Sequence, residues 1–216
     1  MYNTIIGFDI EDFSRDSEAI LLQRKRSDLE LLIKEAANTS GFEKILVDIA
    51  TPDTGDGLYI VFDSRDYANI LTFFDHLKNT ARKVNSIRFR GIIHAGDCST
   101  TKSLLAGESS VKNITGSGII EASRYLDSDP LKELLKVESS ENFVFGISNR
   151  IFYEVKDQAF FNERNFVEYA VVVKRFNNTI FLETKNKKLN NINSLNACHS
   201  FSITKNFQEF LESSVL

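Results

Sequence analysis

Two aspartates sit where the chain changes direction. Asp9 closes the apolar run "NTIIGFDI" (3–10), and Asp56 lies between two glycines in "TGDG" (54–57), directly before the strand-like "LYIVF" (58–62). Taken singly, each has a plain structural reading, because Asp and Gly are favoured in turns and at strand ends. Taken together they have a chemical one. If the strands they bound are neighbours, both carboxylates reach one point at a sheet edge. Two carboxylates, with backbone carbonyl and phosphate oxygens, make a hard oxygen set suited to Mg²⁺ or Mn²⁺. The glycines would then let a phosphate approach the backbone closely. Histidine offers no rival site. His76 and His199 lack partner spacing, and His94, between Ile93 and Ala95, reads as a core or sheet-face residue rather than a zinc ligand.

The elements that must hold these carboxylates follow from the hydrophobic pattern. Residues 3–10 read as a buried strand. From Ser14 to about Asn38 the spacing turns helical, with Ile20, Leu21, Leu29, Leu32 and Ile33 on one broad face and Ser14 or Asp16 as the cap. Residues 42–50 and 58–62 read as two strands of a hairpin turned at "TGDG". A helix is expected over 65–83 with Ile70, Phe73, Phe74 and Leu77 inward, then a central strand, "SIRFRGIIHAG" (86–96). "GSGIIEASRYL" (116–126) reads as a helix opened by small residues and "NFVFGIS" (142–148) as a strand. "FVEYAVVVKRFNNTIFLET" (166–184) reads as a hairpin turning at Asn177-Asn178. A polar helical tail with Phe207, Phe210 and Leu211 occupies about 186–216. The order β-α-β-β-α-β with additions is the ferredoxin-like, or palm, α+β arrangement. With two prolines, no Gly/Ser-rich stretch and no internal repeat, residues 1–216 read as one domain.

Bulk composition narrows the partners. The chain has 216 residues, 42% apolar, enough to bury a core, and a net charge of −4. No basic excess points to nucleic acid, and "RKVNSIRFR" lacks aromatics at base-stacking spacing, so it reads as a basic strand edge. Arg24-Lys25-Arg26 reads as a solvated helix face that could help attract an anionic substrate. No apolar run nears the roughly 18 residues that cross a bilayer, and the start has no signal-peptide pattern. Cys98 and Cys198, without paired spacing, suit reduced thiols. The expectation is a cytoplasmic protein that binds neither nucleic acid nor membrane.

Four motifs then fall in a telling order: "FDIEDFS" (8–14), "TGDG" (54–57), "RGIIHAG" (90–96) and "GSGIIEASR" (116–124). The set resembles the class III nucleotidyl cyclases over about residues 3–184. Within them, the short form with "DTGDG" looks most like the bacterial pyrimidine cyclases of the Pycsar anti-phage system. The resemblance implies a homodimeric lyase that turns a nucleoside triphosphate into its 3′,5′-cyclic monophosphate plus pyrophosphate, with two Mg²⁺ or Mn²⁺ ions per site. By that match Asp9 and Asp56, with the Ile10 carbonyl, hold the metals. Phe13 and Ser14 hold phosphates through their N–H groups, as helix starts can. Arg124 steadies the transition state, and Lys174 is a weaker match to a triphosphate-binding lysine. The metals would come from one protomer and the arginine from the other. In-line attack of the 3′-hydroxyl on the α-phosphorus, assisted by two metals, then needs no dedicated side-chain base. The plain alternative for Arg124 is a surface arginine paired with Glu121 or Asp127, and for Lys174 a lysine in solvent.

The sequence departs from the purine enzymes of that family at the base. No lysine or glutamate stands in "ATPD" (50–53), and Ile120 takes the place of a ribose-holding asparagine four residues before Arg124. Ile120 and Arg124, one turn apart, still share a face. Asn113, with Thr51 and Asp53, becomes the candidate base reader, since an amide offers both donor and acceptor to a pyrimidine edge. UTP is favoured, the product being read by a separate cyclic-nucleotide-binding effector. CTP or ATP as substrate remains open, as does a silent cyclase-like module for nucleotide sensing or dimerisation.

Overall fold

The first strand forms because β-branched and aromatic residues alternate between two faces that are both covered. In the computed structural model Ile5, Ile6, Phe8 and Ile10 of this strand are all buried. The structure describes residues 2–15, 18–42, 57–62, 65–84, 86–102, 112–162, 164–173 and 176–184. Contacts divide the chain into two units, Met1–Glu183 and Thr184–Leu216. Of the second only Thr184 is described, so the expected tail over 186–216 lies outside the described residues.

In the first unit the strands are β1 (Asn3–Ile10), β2 (Gly57–Phe62), β3 (Phe89–Gly96), β4 (Ser99–Lys102), β5 (Lys112–Thr115), β6 (Phe143–Ser148), β7 (Phe166–Val173) and β8 (Phe176–Glu183). The helices are α1 (Ala19–Ser40), α2 (Tyr67–Ala81), α3 (Ser117–Leu126), α4 (Asp129–Val137) and α5 (Asn149–Val155). One six-stranded sheet runs β2-β1-β3-β6-β8-β7, and β4 and β5 form a separate ribbon. Among the described residues of this sheet only the β3–β6 pair is parallel. This is the palm-like α+β sheet with flanking helices that the residue pattern predicts.

Alternation along β1 sorts the two faces. Ile6, Phe8 and Ile10 join the cluster formed with Leu29, Leu32 and Ile33 of α1 and Ile70, Phe73, Phe74 and Leu77 of α2. On the opposite face Gly7 lies under Leu126 of α3 and beside Tyr59, where an added Cβ would meet both at 2.8 Å. Asp9, two residues on, shares that second face. Away from the site, Arg164 ties α2 to β8, donating to Asp75 and, at 2.6 Å, to Glu183.

Several expectations need correcting. Ile20 and Leu21 are exposed, and burial on α1 begins only at Leu29. Among the described residues the first turns of that helix contribute nothing to the core cluster. Ser14 is not the cap of α1. Ser14 falls in a separate 3-10 turn, Phe13–Arg15, Asp16 lies outside the described residues, and Glu18 occupies the cap position without a side-chain bond. Asp12, at φ 55°, turns the backbone through the left-handed region before that 3-10 turn, so helix and strand are not joined directly. The final hairpin does not turn at Asn177-Asn178. Those residues pair with Val172 and Val171, and the connection falls on residues 174–175, outside the described residues. The expected strand over 42–50 also lies outside them beyond Phe42.

Cys98, between β3 and β4, gives a first testable outcome. Burial, reinforced by the neighbouring Asp97 charge, pushes its thiol up to about 11. Both effects disfavour the thiolate, the reactive form. At pH 8 iodoacetamide should therefore label Cys98 at least tenfold more slowly than a free thiol, with the rate still rising towards pH 10. Peptide-resolved mass spectrometry separates it from Cys198, and fast labelling at pH 8 would contradict the burial.

Candidate active site

The strand register builds the site. Asp9 is paired with Gly57 on one side and with Arg90 on the other. Gly57 is required there, because a Cβ would fall 2.1 Å from the Phe8 carbonyl oxygen. Arg90 turns onto Asp9, donating from Nε at 2.8 Å and again from Nη2 to the same Oδ2. Both side chains are largely enclosed, 13% and 19% exposed. A second guanidinium closes the other flank. Arg26 of α1, 15% exposed, donates to the Gly57 carbonyl and, at 3.0 Å, to Glu30.

Asp9, Tyr59, Arg90, Ser123, Leu126 and Asp127 line a cavity of about 210 Å³ between the sheet and α3. Asp56, Thr51, Asp53 and Lys174 lie outside the described residues. Among the described residues no three His, Cys, Asp or Glu side chains converge as a metal cluster. The donors present, the Asp9 carboxylate and the Ile10 carbonyl at the end of β1, are hard oxygens, the chemistry of a Mg²⁺ or Mn²⁺ site rather than a zinc one.

Phe13 and Ser14 stand in the 3-10 turn after β1, with Phe13 packed on the core cluster and Arg15 N–H bonded to the Asp12 carbonyl at 3.2 Å. Asn113 lies on β5, in register with Thr101 of the ribbon that leads into α3. On α3, Ile120 and Arg124 are both exposed. Arg124 makes no ion pair with Glu121 or Asp127; Glu121 faces His94 and Asp127 faces Lys132 instead. Arg124 lines a different hollow of about 440 Å³, with Asp127, Ser128, Asp129, Ala170 and Val171. One chain thus presents Asp9 with Arg90 to one cavity and Arg124 to another.

Arg26 and Arg90 are candidate site residues to which the sequence assigns no role: Arg26 lies in no motif, and Arg90 only opens "RGIIHAG". By sequence Arg26 reads as part of a solvated basic run, yet it is largely enclosed against β2. "RKVNSIRFR" reads as a basic edge, but Arg82 pairs with Glu141, Arg88 with Glu11 and Arg90 with Asp9. The available signal is position, since Arg90 opens the motif "RGIIHAG" inside the strand expected over 86–96.

No protein-family model matches the chain, and no curated protein does. Solved structures do. The chain is similar to adenylate cyclases from Trypanosoma brucei, with 12% identity, TM-score 0.56 and 84% of this chain and 89% of that one covered. It is also similar to a bacterial light-regulated adenylyl cyclase, at 14% identity and TM-score 0.55, covering 90% of this chain and 95% of that one. The adenylyl cyclase CyaB from P. aeruginosa shares 16% identity at TM-score 0.51, covering 86% of this chain and 95% of that one. At these identities the likeness establishes the fold: the chain has the palm-like α+β fold of these adenylyl cyclases. Among the described residues no helix is long and apolar enough to cross a membrane.

Proposed function

We propose that the chain is a class III nucleotidyl cyclase, converting a pyrimidine nucleoside triphosphate, UTP first, to its 3′,5′-cyclic monophosphate and pyrophosphate. The carrying observation is the pairing of Asp9 with Gly57, the residue after Asp56, at one edge of a cyclase-like sheet. Asp9, Asp56 and the Ile10 carbonyl would hold Mg²⁺ or Mn²⁺, whose chemistry there is Lewis-acid activation of the 3′-hydroxyl and neutralisation of phosphate charge.

The chain's own groups do the rest. Arg90 fixes the orientation of Asp9 and adds positive charge beside it. The N–H groups of Phe13 and Ser14 face phosphate, with Lys174 as a further anion partner. Arg124 spreads the charge developing on the α-phosphate through its planar fork of donors. That Arg124 and Asp9 line different hollows, adjoining at Asp127, supports a site completed by a second copy, with Arg124 supplied across a homodimer interface. Asn113, Thr51 and Asp53 would read the base. The product would act in the cytoplasm as a second messenger of anti-phage defence. A second reading, adenylate cyclase, is favoured by the solved structures that share the fold.

Purified protein incubated with each of ATP, GTP, CTP and UTP in Mn²⁺, with products identified by mass spectrometry, tests this directly. Cyclic UMP is expected, and it should vanish in Asp9→Asn. Cyclic AMP alone would establish the second reading, and no cyclic product from any triphosphate would leave a non-catalytic domain.

A further inference from the structure

The strand motif "RGIIHAG" and the helix motif "GSGIIEASR" meet at a joint that the proposed chemistry does not use. A Cβ on Gly96 would lie 2.5 Å from the Gly118 Cα and 2.8 Å from His94 Nε2, so only glycine lets α3 settle this close to the end of β3. That close approach places Glu121 of α3 over His94 of β3, with Nε2 3.3 Å from Oε2. The His94 side chain is 3% exposed and that of Glu121 21%. Tyr125, one turn further along α3, lies 5.4 Å ring to ring from His94 and is itself buried. From α5, Arg150 donates to the Ala95 carbonyl at 2.8 Å, beside the histidine.

Glu121 and Arg124 are three residues apart on one helix, the spacing at which a glutamate and an arginine ordinarily pair on the surface. Here Glu121 turns inward to the histidine, and Arg124 makes no ion pair with any described residue. We infer that His94 is a positioning residue that holds Glu121 away from Arg124, keeping the arginine free for an anionic phosphate. This rests on the cyclase reading for its effect on turnover. The His94–Glu121 couple itself does not depend on that reading. The glycines at 96 and 118 belong to the same device, since any side chain there would lift α3 and take Glu121 out of reach.

The test is a rescue. In His94→Leu, Glu121 loses the approach to Nε2 and is expected to swing to Arg124. An exposed pair of this kind is weak, so kcat should fall about 2- to 5-fold with KM for the triphosphate unchanged. The deficit should shrink as salt is raised, because the captured pair is screened. The double variant His94→Leu/Glu121→Gln should recover the parent kcat, since an uncharged amide cannot hold the guanidinium. A deficit that persists in the double variant would show that His94 merely supports the fold and would overturn the inference. Where the leucine variant does not fold, His94→Asn, too short to reach Glu121, is expected to give the same pattern. The ¹⁵N resonance of the Arg124 side-chain Nε provides a readout without turnover. It should shift in the single variant and return in the double one, and an unmoved resonance would overturn the inference while leaving the cyclase reading standing.

Discussion

Replacing Arg124 by alanine is expected to lower kcat about 10²- to 10³-fold, the cost of deleting one preorganised donor to a developing anion. The melting temperature should hardly move. Arg124 is exposed and makes no ion pair with a described residue, and surface changes of that kind usually stay within about 0.5 kcal/mol. Loss of turnover without loss of stability is the signature of a group kept for chemistry. Mixing Arg124→Ala with Asp9→Asn subunits adds the spatial test. In a random mixture, each mixed dimer rebuilds one intact site, so about a quarter of parent activity should return. No recovery would mean that arginine and metal carboxylate act from one subunit.

The second large effect lies in the core. Phe74 is fully buried and packs against four other phenylalanines, with ring centroids 5.8 Å from Phe8, 5.5 Å from Phe73, 5.6 Å from Phe143 and 4.8 Å from Phe145. These rings come from β1, α2 and β6, so removing the central one opens a cavity that no single element can close. Phe74→Ala should cost about 3–5 kcal/mol, a large share of the roughly 5–15 kcal/mol that holds a domain of this kind together. The urea midpoint should drop accordingly with an unchanged slope. A loss under about 1 kcal/mol would mean that the cluster collapses around the gap.

The main strands and the two long helices are legible from hydrophobic period, because buried apolar residues recur at spacings that only one backbone geometry brings onto a common face. Spacing alone turns Phe73, Phe74 and Leu77 inward, and all three are buried. The same rule misplaces Ile20 and Leu21, since period reports which residues share a face but not how much of that face joins the core. The short helices α4 and α5 and the β4–β5 ribbon are not legible, because segments this brief repeat their period too few times and carry no motif. Within the site, Asp9 and Arg124 stand out because their motifs have fixed local spacing. The pairing of Arg90, although it opens a motif, and the enclosure of Arg26 are not legible, since what distinguishes an enclosed guanidinium from a solvated one is the partner it meets in the fold. Composition assigns the final turn to an Asn-Asn pair, yet the register places both asparagines inside β8.

The sheet order carries a consequence for how the molecule comes into being. In the main sheet β7 and β8 are adjacent in both chain and space, with two residues between them. Asp9 and Arg90, by contrast, are 81 positions apart. Closing a loop that long costs chain entropy before any contact repays it. The β7–β8 hairpin can therefore form early, whereas β1 finds β3 late, and folding should be slow for the chain's size. The carboxylate and its guanidinium meet only when the central strands have zipped, so in a half-folded chain the Asp9–Arg90 pair and the cavity beside it do not yet exist.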